Sequence, residues 1–249
     1  MRMLDLFCGR FGWSRAFAAR GWECVGVDLT APPEIPNGCE YIAADIMDIQ
    51  FERGAFKIWA RGCPVAGQMW IDDIDFICAS SPCEKFSVFA MPHFHQNPKY
   101  PDLGIELFNH TRSICEASGL PYVMENVRAA QRFVGQAENH CGPFYLWGNA
   151  VPPLMPQGIK KGFQTGGQII QRLKAIDRKA LTDYRRQNDG SWSSSKSQKR
   201  KEWTAKVAEI PRELANCVAE YAERLLEQQA TSKQIVGRDP IEPISGDAL

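Results

Sequence analysis

Residues 3–28, MLDLFCGRFGWSRAFAARGWECVGVD, contain the pattern from which the fold is predicted. Its apolar start, Met3–Phe7, is typical of a short buried strand, and Gly9 follows in a turn. Residues 14–20 are typical of a helix, and a second apolar run at residues 22–28 predicts another strand. A strand, a helix and a strand in this order form the unit from which parallel sheets are built.

The same alternation continues as far as residue 127. Three further strands are predicted at residues 39–45, 74–79 and 121–127, and a helix is predicted at residues 103–117. Strands that alternate with helices indicate a mostly parallel sheet with helices on both faces. We therefore predict a Rossmann-like α/β fold.

Polar or reactive residues stand where the predicted strands end, namely Gly9, Asp28, Asp45, Cys83 and Glu125. Ligands of open parallel sheets bind beyond the carboxyl ends of the strands. These five positions are therefore predicted to surround one site.

The turn after the first strand has features of a nucleotide site. Gly9 lets the backbone approach a ligand, and Asp28, nineteen residues later, can accept hydrogen bonds from both hydroxyls of a ribose. The spacings of a dinucleotide site and of a P-loop are both absent, which favours an adenosyl group without a pyrophosphate. The alternative is a tight turn with two aspartates that cap neighbouring backbone or lie at the surface.

Charge and cysteine content limit the class of protein. The formal net charge is zero, but residues 156–206 contain thirteen Lys and Arg against four Asp and Glu. Nine cysteines, an odd number without a compact framework, favour a reducing compartment. No secretory leader precedes the first strand, and no apolar run reaches about 18 residues. We expect a cytoplasmic monomer without a membrane segment.

Four regions are predicted along the chain. A catalytic and cofactor-binding domain covers residues 1–149, and a basic recognition region covers residues 150–206. The recognition region is rich in polar and basic residues, which predicts that part of it is flexible. A C-terminal helix at residues 207–230 returns to the catalytic domain because apolar residues recur there at helical spacing, and residues 231–249 form a tail.

Three motifs give the chain a resemblance to the DNA cytosine-5 methyltransferase family. DLFCGRFG at residues 5–12 resembles the first motif of that family, and SPCEKFS at residues 81–87 resembles its Pro-Cys-Gln-x-Phe-Ser motif. ENV at residues 125–127 resembles the sixth motif, and all three occur in the family's order. The resemblance covers mainly residues 1–127 and is to a small phage- or bacterial-type member. It implies methyl transfer from S-adenosylmethionine to C5 of a cytosine flipped out of DNA.

The resemblance also implies roles for single residues. Cys83 would add to C6 of the ring as a thiolate and make C5 reactive. Glu125 would hydrogen-bond the N3 and N4 edge of the base, and Asn126 would hold the loop backbone. The alternative for Cys83 is a small buried hydrophobic residue. The residues that would hold the cofactor are Asp5, Phe7, Cys8, Gly9, Gly12, Trp13, Asp28, Leu29, Asp45, Ile46, Pro82 and Asn216.

Several positions depart from the pattern of the family. Phe11 stands where the family has glycine, and we expect its ring to reshape the entrance for the cofactor. Glu84 replaces a glutamine and puts a negative charge beside the cysteine. The arginines of the eighth motif are absent, and Arg128 or Arg132 is the candidate replacement. Residues 215–218, Ala-Asn-Cys-Val, match the tenth motif only in part.

The basic segment predicts contact with the phosphate backbone of DNA, and a solvated basic surface is the alternative. Backbone contacts do not specify sequence, so we expect a short or degenerate target. Two histidines two residues apart, without further spaced ligands, predict no metal site. The residues predicted to contact nucleic acid are Ser87, His93, His95, Arg128, Lys160, Lys161, Arg185, Arg186, Lys199 and Arg200.

Two other functions stay open on the sequence alone. The same cysteine chemistry would methylate a cytosine in RNA, such as a tRNA. A nucleic-acid-binding protein with little catalysis is the second alternative, since Phe11, Glu84 and the missing arginines all depart from the family.

Overall fold

A computed structural model describes residues 1–59, 68–84, 86, 102–159 and 209–236. In chain order the strands are β1 (Arg2–Leu6), β2 (Glu23–Asp28), β3 (Cys39–Ala43), β4 (Gln50–Glu52), β5 (Ala55–Trp59), β6 (Gln68–Ile71), β7 (Phe76–Ser80), β8 (Tyr122–Val127), β9 (Asn139–Cys141) and β10 (Phe144–Trp147). The helices are α1 (Ser14–Ala18), α2 (Asp102–Ser118), α3 (Gln131–Val134) and α4 (Arg212–Val236), with 3-10 turns at Ile46–Asp48 and Arg128–Ala130.

Seven strands form the central sheet in the order β3-β2-β1-β7-β8-β10-β9. The first five are parallel, and β10 is antiparallel to both of its neighbours. From β1 the chain builds β2 and β3 to one side and β7 and β8 to the other, so the strand order reverses between β1 and β7. Such a reversal is where doubly wound sheets bind ligands. The predicted Rossmann-like α/β fold is confirmed.

We call the ends of β1, β2, β3, β7 and β8 the carboxyl edge of the sheet and their starts the amino edge. The alternation of side chains along β1 explains how both faces are covered. Leu4 and Leu6 belong to one apolar core, which includes Phe108 of α2. Met3 belongs to a second core on the other face, where it is buried with Phe17 of α1 and other residues of α1 and α4.

Helix α4 crosses the second face from the carboxyl edge to the amino edge. At its start, Ile210 packs on the turn after β1 so closely that a Cβ added to Gly12 would lie 3.0 Å from the Ile210 Cβ. Near the amino edge, Arg20 donates to both carboxylate oxygens of Glu223, with Nε–Oε1 and Nε–Oε2 distances of 3.0 Å. Trp22 Nε1 donates to the same carboxylate at 3.2 Å. Helix α4 therefore returns to α1 and continues to Val236, past the predicted start of the tail.

The structure contains a second sheet that was not predicted from the sequence. Strands β4, β5 and β6 form a three-stranded antiparallel sheet. It is attached to the first core by Phe56, Ile58 and Ile71, which are nearly inaccessible to solvent. Several predicted strand bounds differ by one or two residues from those observed. β3 stops before Asp45 because the Asp45 carboxylate accepts from Met47 N at 3.1 Å and caps a 3-10 turn, and β7 runs from Phe76 to Ser80.

Within the described ranges, no helix has the length and apolarity that crossing a bilayer requires.

Candidate functional site

The turn after β1 is held to the end of β2 by one carboxylate. Gly9 takes a left-handed backbone with φ of 49°, which glycine adopts without strain. Its N–H donates to Asp28 Oδ2 at 3.1 Å, and Thr30 N donates to Asp28 Oδ1 at 3.0 Å. Asp28 is half-buried, so one side of the carboxylate still faces the carboxyl edge.

Two phenylalanines in this turn also have left-handed backbones, Phe7 with φ of 60° and Phe11 with φ of 61°. The family's glycine at the position of Phe11 would fit this conformation without strain. The Phe11 ring is fully buried and lies over Gly26, where an added Cβ would come within 2.3 Å of ring atom Cε1. The ring therefore points into the core and does not reshape the entrance at the carboxyl edge, contrary to the expectation from the sequence.

The ends of β2 and β3 present apolar side chains to solvent. Leu29 follows Asp28 and is 52% exposed, and Met47 in the 3-10 turn after β3 is 41% exposed. Ile46, beside Met47, is buried and its carbonyl oxygen lies 3.0 Å from His110 Nε2. Asp45 is half-buried at the same strand end. An apolar surface next to a half-buried carboxylate is suited to a flat ring with an attached hydroxylated sugar.

Three residues predicted to hold a cofactor have side chains that support the turn from within. Asp5, Cys8 and Trp13 are each less than 5% exposed. Asp5 Oδ2 accepts from Ser14 Oγ at 2.5 Å and from Ser14 N at 3.3 Å, and so caps α1. Trp13 Nε1 donates to Ser80 Oγ at 2.9 Å. These three residues could therefore contact a ligand at the carboxyl edge only through their backbone atoms.

Asn216 is the predicted cofactor residue that lies on α4. It lies six residues after Ile210, which corresponds to roughly 9 Å along a helix. Because α4 runs away from the carboxyl edge, the structure does not bring Asn216 to the strand ends. Its neighbour Cys217 instead contacts the carbonyl oxygen of Leu154 through Sγ, at 3.4 Å.

The segment after β7 holds Cys83 at the carboxyl edge. Ser81 is 4% exposed, Pro82 is exposed and Cys83 is half-buried. Phe86 is fully buried, and its ring centroid lies 6.0 Å from that of Phe133 in α3. Buried anchors on both sides of Cys83 therefore fix a short segment that leaves the sulfur partly accessible.

Asn126 joins the end of β8 to this segment. Its Nδ2 donates to the Ser81 carbonyl oxygen at 3.0 Å and to Ser81 Oγ at 2.9 Å. Its Oδ1 accepts from Val127 N at 2.8 Å. Glu125 is 6% exposed and is in register with Ser80 of β7. The structure therefore brings together the two motif segments that contain Cys83 and Glu125.

Three buried thiols contrast with Cys83. Cys8, Cys78 and Cys115 are buried, and burial raises the pKa of each thiol. The pKa of Cys115 reaches about 12. A thiol in that state is almost entirely protonated near neutral pH and is a poor nucleophile. Cys83 is half-buried and follows a strand at the carboxyl edge, so it is better placed to react.

The cationic candidates are described only in part. Arg128 and Arg132 follow β8 and are exposed, and Arg128 begins the 3-10 turn at the carboxyl edge. The remaining residues predicted to contact nucleic acid lie outside the described residues, namely Ser87, His93, His95, Lys160, Lys161, Arg185, Arg186, Lys199 and Arg200.

The sequence analysis missed two supporting residues, Ser80 and Ser81. Each hydrogen-bonds a side chain from a neighbouring strand end, Trp13 for Ser80 and Asn126 for Ser81. The available signal was the pair of hydroxyl residues directly before Pro82, where a buried strand ends.

Two cavities in the described chain lie mostly away from these residues. One of about 550 Å³ lies beside α1, between Arg15, Asn37 and Ile210. Another of about 360 Å³ lies at the amino edge, between Pro121 and Leu225. Of the predicted site residues, Gly12 alone lines the first cavity and none lines the second, so we place the candidate site at the carboxyl edge on its chemistry. In the part of the chain that the structure covers, no three His, Cys, Asp or Glu side chains cluster as metal ligands.

Comparison of this chain with known proteins finds solved structures to which its fold is partly similar. No known family and no curated protein matches the chain. The chain is similar to a protein described as a DNA modification methyltransferase encoded within a prophage of E. coli, with TM-score 0.33 and 19% identity over 52% of this chain and 33% of that one. It is also similar to the glycopeptide N-methyltransferase MtfA complexed with S-adenosyl-L-methionine, with TM-score 0.26 and 14% identity over 51% of this chain and 47% of that one. The chain thus spans less than half of either protein, and similarity at this level assigns no activity.

Proposed function

We propose that this protein is an S-adenosylmethionine-dependent DNA cytosine-5 methyltransferase. The observation that carries the proposal is the pair of hydrogen bonds from Asn126 to Ser81, at 2.9 and 3.0 Å. They tie the strand end that contains Glu125 to the strand end that precedes Cys83. A base bound between these strand ends would meet a thiol and a carboxyl group, which are the two groups that this reaction needs.

The carboxyl edge fits the methyl donor. Each oxygen of Asp28 accepts one backbone N–H and keeps a lone pair for a ribose hydroxyl. Leu29 and Met47 are exposed apolar side chains that an adenine ring would cover. The other residues proposed to surround the donor are Phe7, Gly9, Gly12, Asp45, Ile46 and Pro82.

The chemistry follows from the reactivity of cytosine. C5 is a poor nucleophile until Cys83 adds to C6 as a thiolate and the electron pair of the C5–C6 double bond moves to C5. Glu125 would stabilise the attacked ring by hydrogen bonds to its N3 and N4 edge. When bound, the donor supplies an electrophilic methyl group at C5. Loss of the C5 proton to a base then restores the double bond and releases Cys83.

DNA is the proposed substrate because of the charge of the chain. Residues 156–206 carry an excess of nine positive charges, thirteen Lys and Arg less four Asp and Glu, which suits a phosphate backbone. Exposed Arg128 would add a cation at the carboxyl edge. A cytosine within a duplex must be flipped out, since neither Cys83 nor the donor could reach a stacked ring.

Nucleoside mass spectrometry tests the proposal directly. Wild type, Cys83→Ala and Cys39→Ala are expressed in cells that lack their own cytosine methylation, and DNA and RNA are digested separately. Cys39 is the matched control because it is also a half-buried cysteine but lies at the amino edge, at the start of β3. We expect 5-methylcytosine in DNA with wild type and Cys39→Ala, and none with Cys83→Ala.

Other results would change the proposal. 5-Methylcytosine in RNA alone would replace DNA by RNA as the substrate. Modified DNA from Cys83→Ala would contradict the covalent mechanism. A wild-type protein that neither modifies cytosine nor binds S-adenosylmethionine in equilibrium dialysis would contradict the proposed function as a whole.

A further inference from the structure

A hydrogen bond connects the two turns that the proposed reaction would use. Trp13 lies in the turn between β1 and α1, and Ser80 is the last residue of β7, three residues before Cys83. The indole Nε1 of Trp13 donates to Ser80 Oγ at 2.9 Å, across 67 residues of sequence. Trp13 is 1% exposed, so this bond is shielded from competing water on the indole side.

The end of β7 and the residue that follows it are thereby held from both sides. On the β1 side Trp13 holds Ser80, and on the β8 side Asn126 holds Ser81. A chain that leaves a strand loses its ladder hydrogen bonds, so side chains must fix its path instead. These two sets of hydrogen bonds hold consecutive residues, Ser80 and Ser81, immediately before Pro82 and Cys83.

We infer that Trp13 and Ser80 form a positioning pair that couples the turn after β1 to the placement of the Cys83 sulfur. The inference rests on the proposed function and adds a link between the donor side and the nucleophile. Neither residue touches the reacting atoms in this arrangement. Small displacements of a reacting group, of about 1 Å, reduce enzymatic rates on the order of 100-fold, so such a pair has a measurable effect.

The alternative is that Trp13 only fills the second core. The indole ring packs there with Phe17 and Trp22, which are also buried. Packing requires the ring, whereas positioning requires the N–H group and its acceptor. Substitutions that remove the hydrogen bond and keep most of the volume therefore distinguish the two roles.

The test compares four single variants and one double variant. Ser80→Ala removes the acceptor, Trp13→Phe removes the donor, and Ser80→Thr keeps the hydroxyl. Trp22→Phe is the matched control, because Trp22 lies in the same core and donates through Nε1 to Glu223 at the opposite edge. The measurements are single-turnover methyl transfer, the Kd for S-adenosylmethionine, and the rate of Cys83 alkylation by iodoacetamide, followed by peptide mass spectrometry.

We expect Ser80→Ala and Trp13→Phe to slow single-turnover transfer at least tenfold, with less than about threefold change in the Kd for the donor. Alkylation of Cys83 should become at least about threefold faster in both, because a released strand end exposes a half-buried sulfur. The double variant should match the slower single variant, because both changes remove one bond. Ser80→Thr and Trp22→Phe should resemble wild type in all three measurements.

Alkylation separates failure of this inference from failure of the proposed function. If the wild type transfers no methyl group but the alkylation rates change as expected, the positioning pair stands and the proposed function fails. If Ser80→Ala and Trp13→Phe alkylate Cys83 at the rate of Trp22→Phe, the positioning pair is wrong, whatever the activity. Additive effects in the double variant would also overturn it.

Discussion

The two edges of the central sheet are built differently. At the carboxyl edge, the turns are fixed by side chains that bond to backbone or to each other, with Asp28 on Gly9 and Asn126 on Ser81. At the amino edge, an ion pair closes a helix onto the sheet, with Glu223 accepting from Arg20. At the carboxyl edge Asn126 and Ser81 are buried while Asp28 and Cys83 are half-buried, whereas at the amino edge Arg20 is exposed and Glu223 is half-buried.

The difference shows how one sheet serves stability and chemistry at once. Holding a turn open requires hydrogen bonds from side chains, because the strand ladder has ended there. Closing an edge requires only complementary surfaces and paired charges. Substitutions at the carboxyl edge should therefore affect activity and stability together, whereas those at the amino edge should affect stability alone.

The largest effect is expected from Asp5, beneath the turn at the carboxyl edge. Burial raises the pKa of Asp5 from 3.8 to about 7, and within the described residues its Oδ1 has no hydrogen-bond partner. The folded protein therefore binds a proton more tightly than the unfolded chain, so stability is greatest below pH 4 for this group and falls as pH rises to 7. The loss is up to about 4 kcal/mol, since a tenfold change in proton affinity is worth about 1.4 kcal/mol.

Asp5→Asn tests this prediction, because asparagine can still accept from Ser14 but carries no charge. Urea unfolding at pH 4, 5.5 and 8 should show that the variant is more stable than wild type at pH 8. The variant should also lack the decrease in stability with rising pH that Asp5 causes. An equal pH dependence in wild type and variant would contradict the buried, uncompensated charge.

A pair of asparagines compares the two edges with the same substitution. Asn126 is fully buried and makes three hydrogen bonds at the carboxyl edge. Asn149 is exposed and bonds Tyr122 N at 2.8 Å and the Leu120 carbonyl oxygen at 3.1 Å near the amino edge. Asn126→Ala should lower the free energy of unfolding by about 3 kcal/mol, and Asn149→Ala by about 1 kcal/mol.

Activity should separate the two asparagine variants more clearly than stability does. Asn126→Ala releases Ser81, so methyl transfer should fall at least tenfold, measured at a temperature where the variant is folded. Asn149→Ala should keep the wild-type rate. Equal rates of methyl transfer in the two variants would show that the hydrogen bonds from Asn126 to Ser81 do not contribute to the reaction.

A substitution at Gly26 of β2 tests how closely the Phe11 ring packs on this strand. An added Cβ would lie 2.3 Å from Phe11 Cε1 and 2.9 Å from Cys8 Sγ. Gly26→Ala should therefore lower the free energy of unfolding by about 2 kcal/mol through overpacking. Phe11→Leu in the same chain should recover part of that loss in urea unfolding. If Phe11→Leu recovers none of the lost stability, the added methyl group clashes with Cys8 and not with the Phe11 ring.

Much of the fold follows from local sequence patterns. The unit from β1 to β2 was predictable because apolar runs, a glycine turn and a helix occur in order within residues 3–28. The sheet of β4, β5 and β6 was not. Its turn at Arg53 and Gly54 uses left-handed backbones, with φ of 53° and 81°, and β4 has only three residues. Such short strands are stabilised by distant core contacts, which a sequence pattern does not display.

The candidate site was predictable at the level of strand ends and less so at the level of side chains. Motif order indicated that Cys83 and Glu125 lie at or just past strand ends, and parallel strands bring their ends to one edge. The partners Asn126 and Ser81 are 45 residues apart, and a contact at that distance depends on strand order. The inward direction of the Phe11 ring likewise depends on the empty space over Gly26.

The smallest effect is expected at the amino edge, from Glu223. Its pKa is lowered by the hydrogen bond from Arg20, so its stabilisation is present above the ordinary carboxyl value of 4.5 and is lost as pH falls through the folded pKa. Glu223→Gln should lower the free energy of unfolding by about 1 kcal/mol at pH 7, and the difference from wild type should shrink on acidification. Glu220 is the control, because its Oε1 lies 3.5 Å from Arg20 Nη1 and its side chain is 52% exposed.

Glu220→Gln should change stability by less than about 0.5 kcal/mol, because solvent screens an exposed pair. Both glutamine variants should keep the wild-type rate of methyl transfer, since α4 carries these charges at the edge opposite Cys83. If Glu223→Gln loses activity at a temperature where it is folded, a change in the packing of α4 at the amino edge is transmitted through α1 to the carboxyl edge. In that case the two edges would act as one unit, and the separation of stability from chemistry would be wrong.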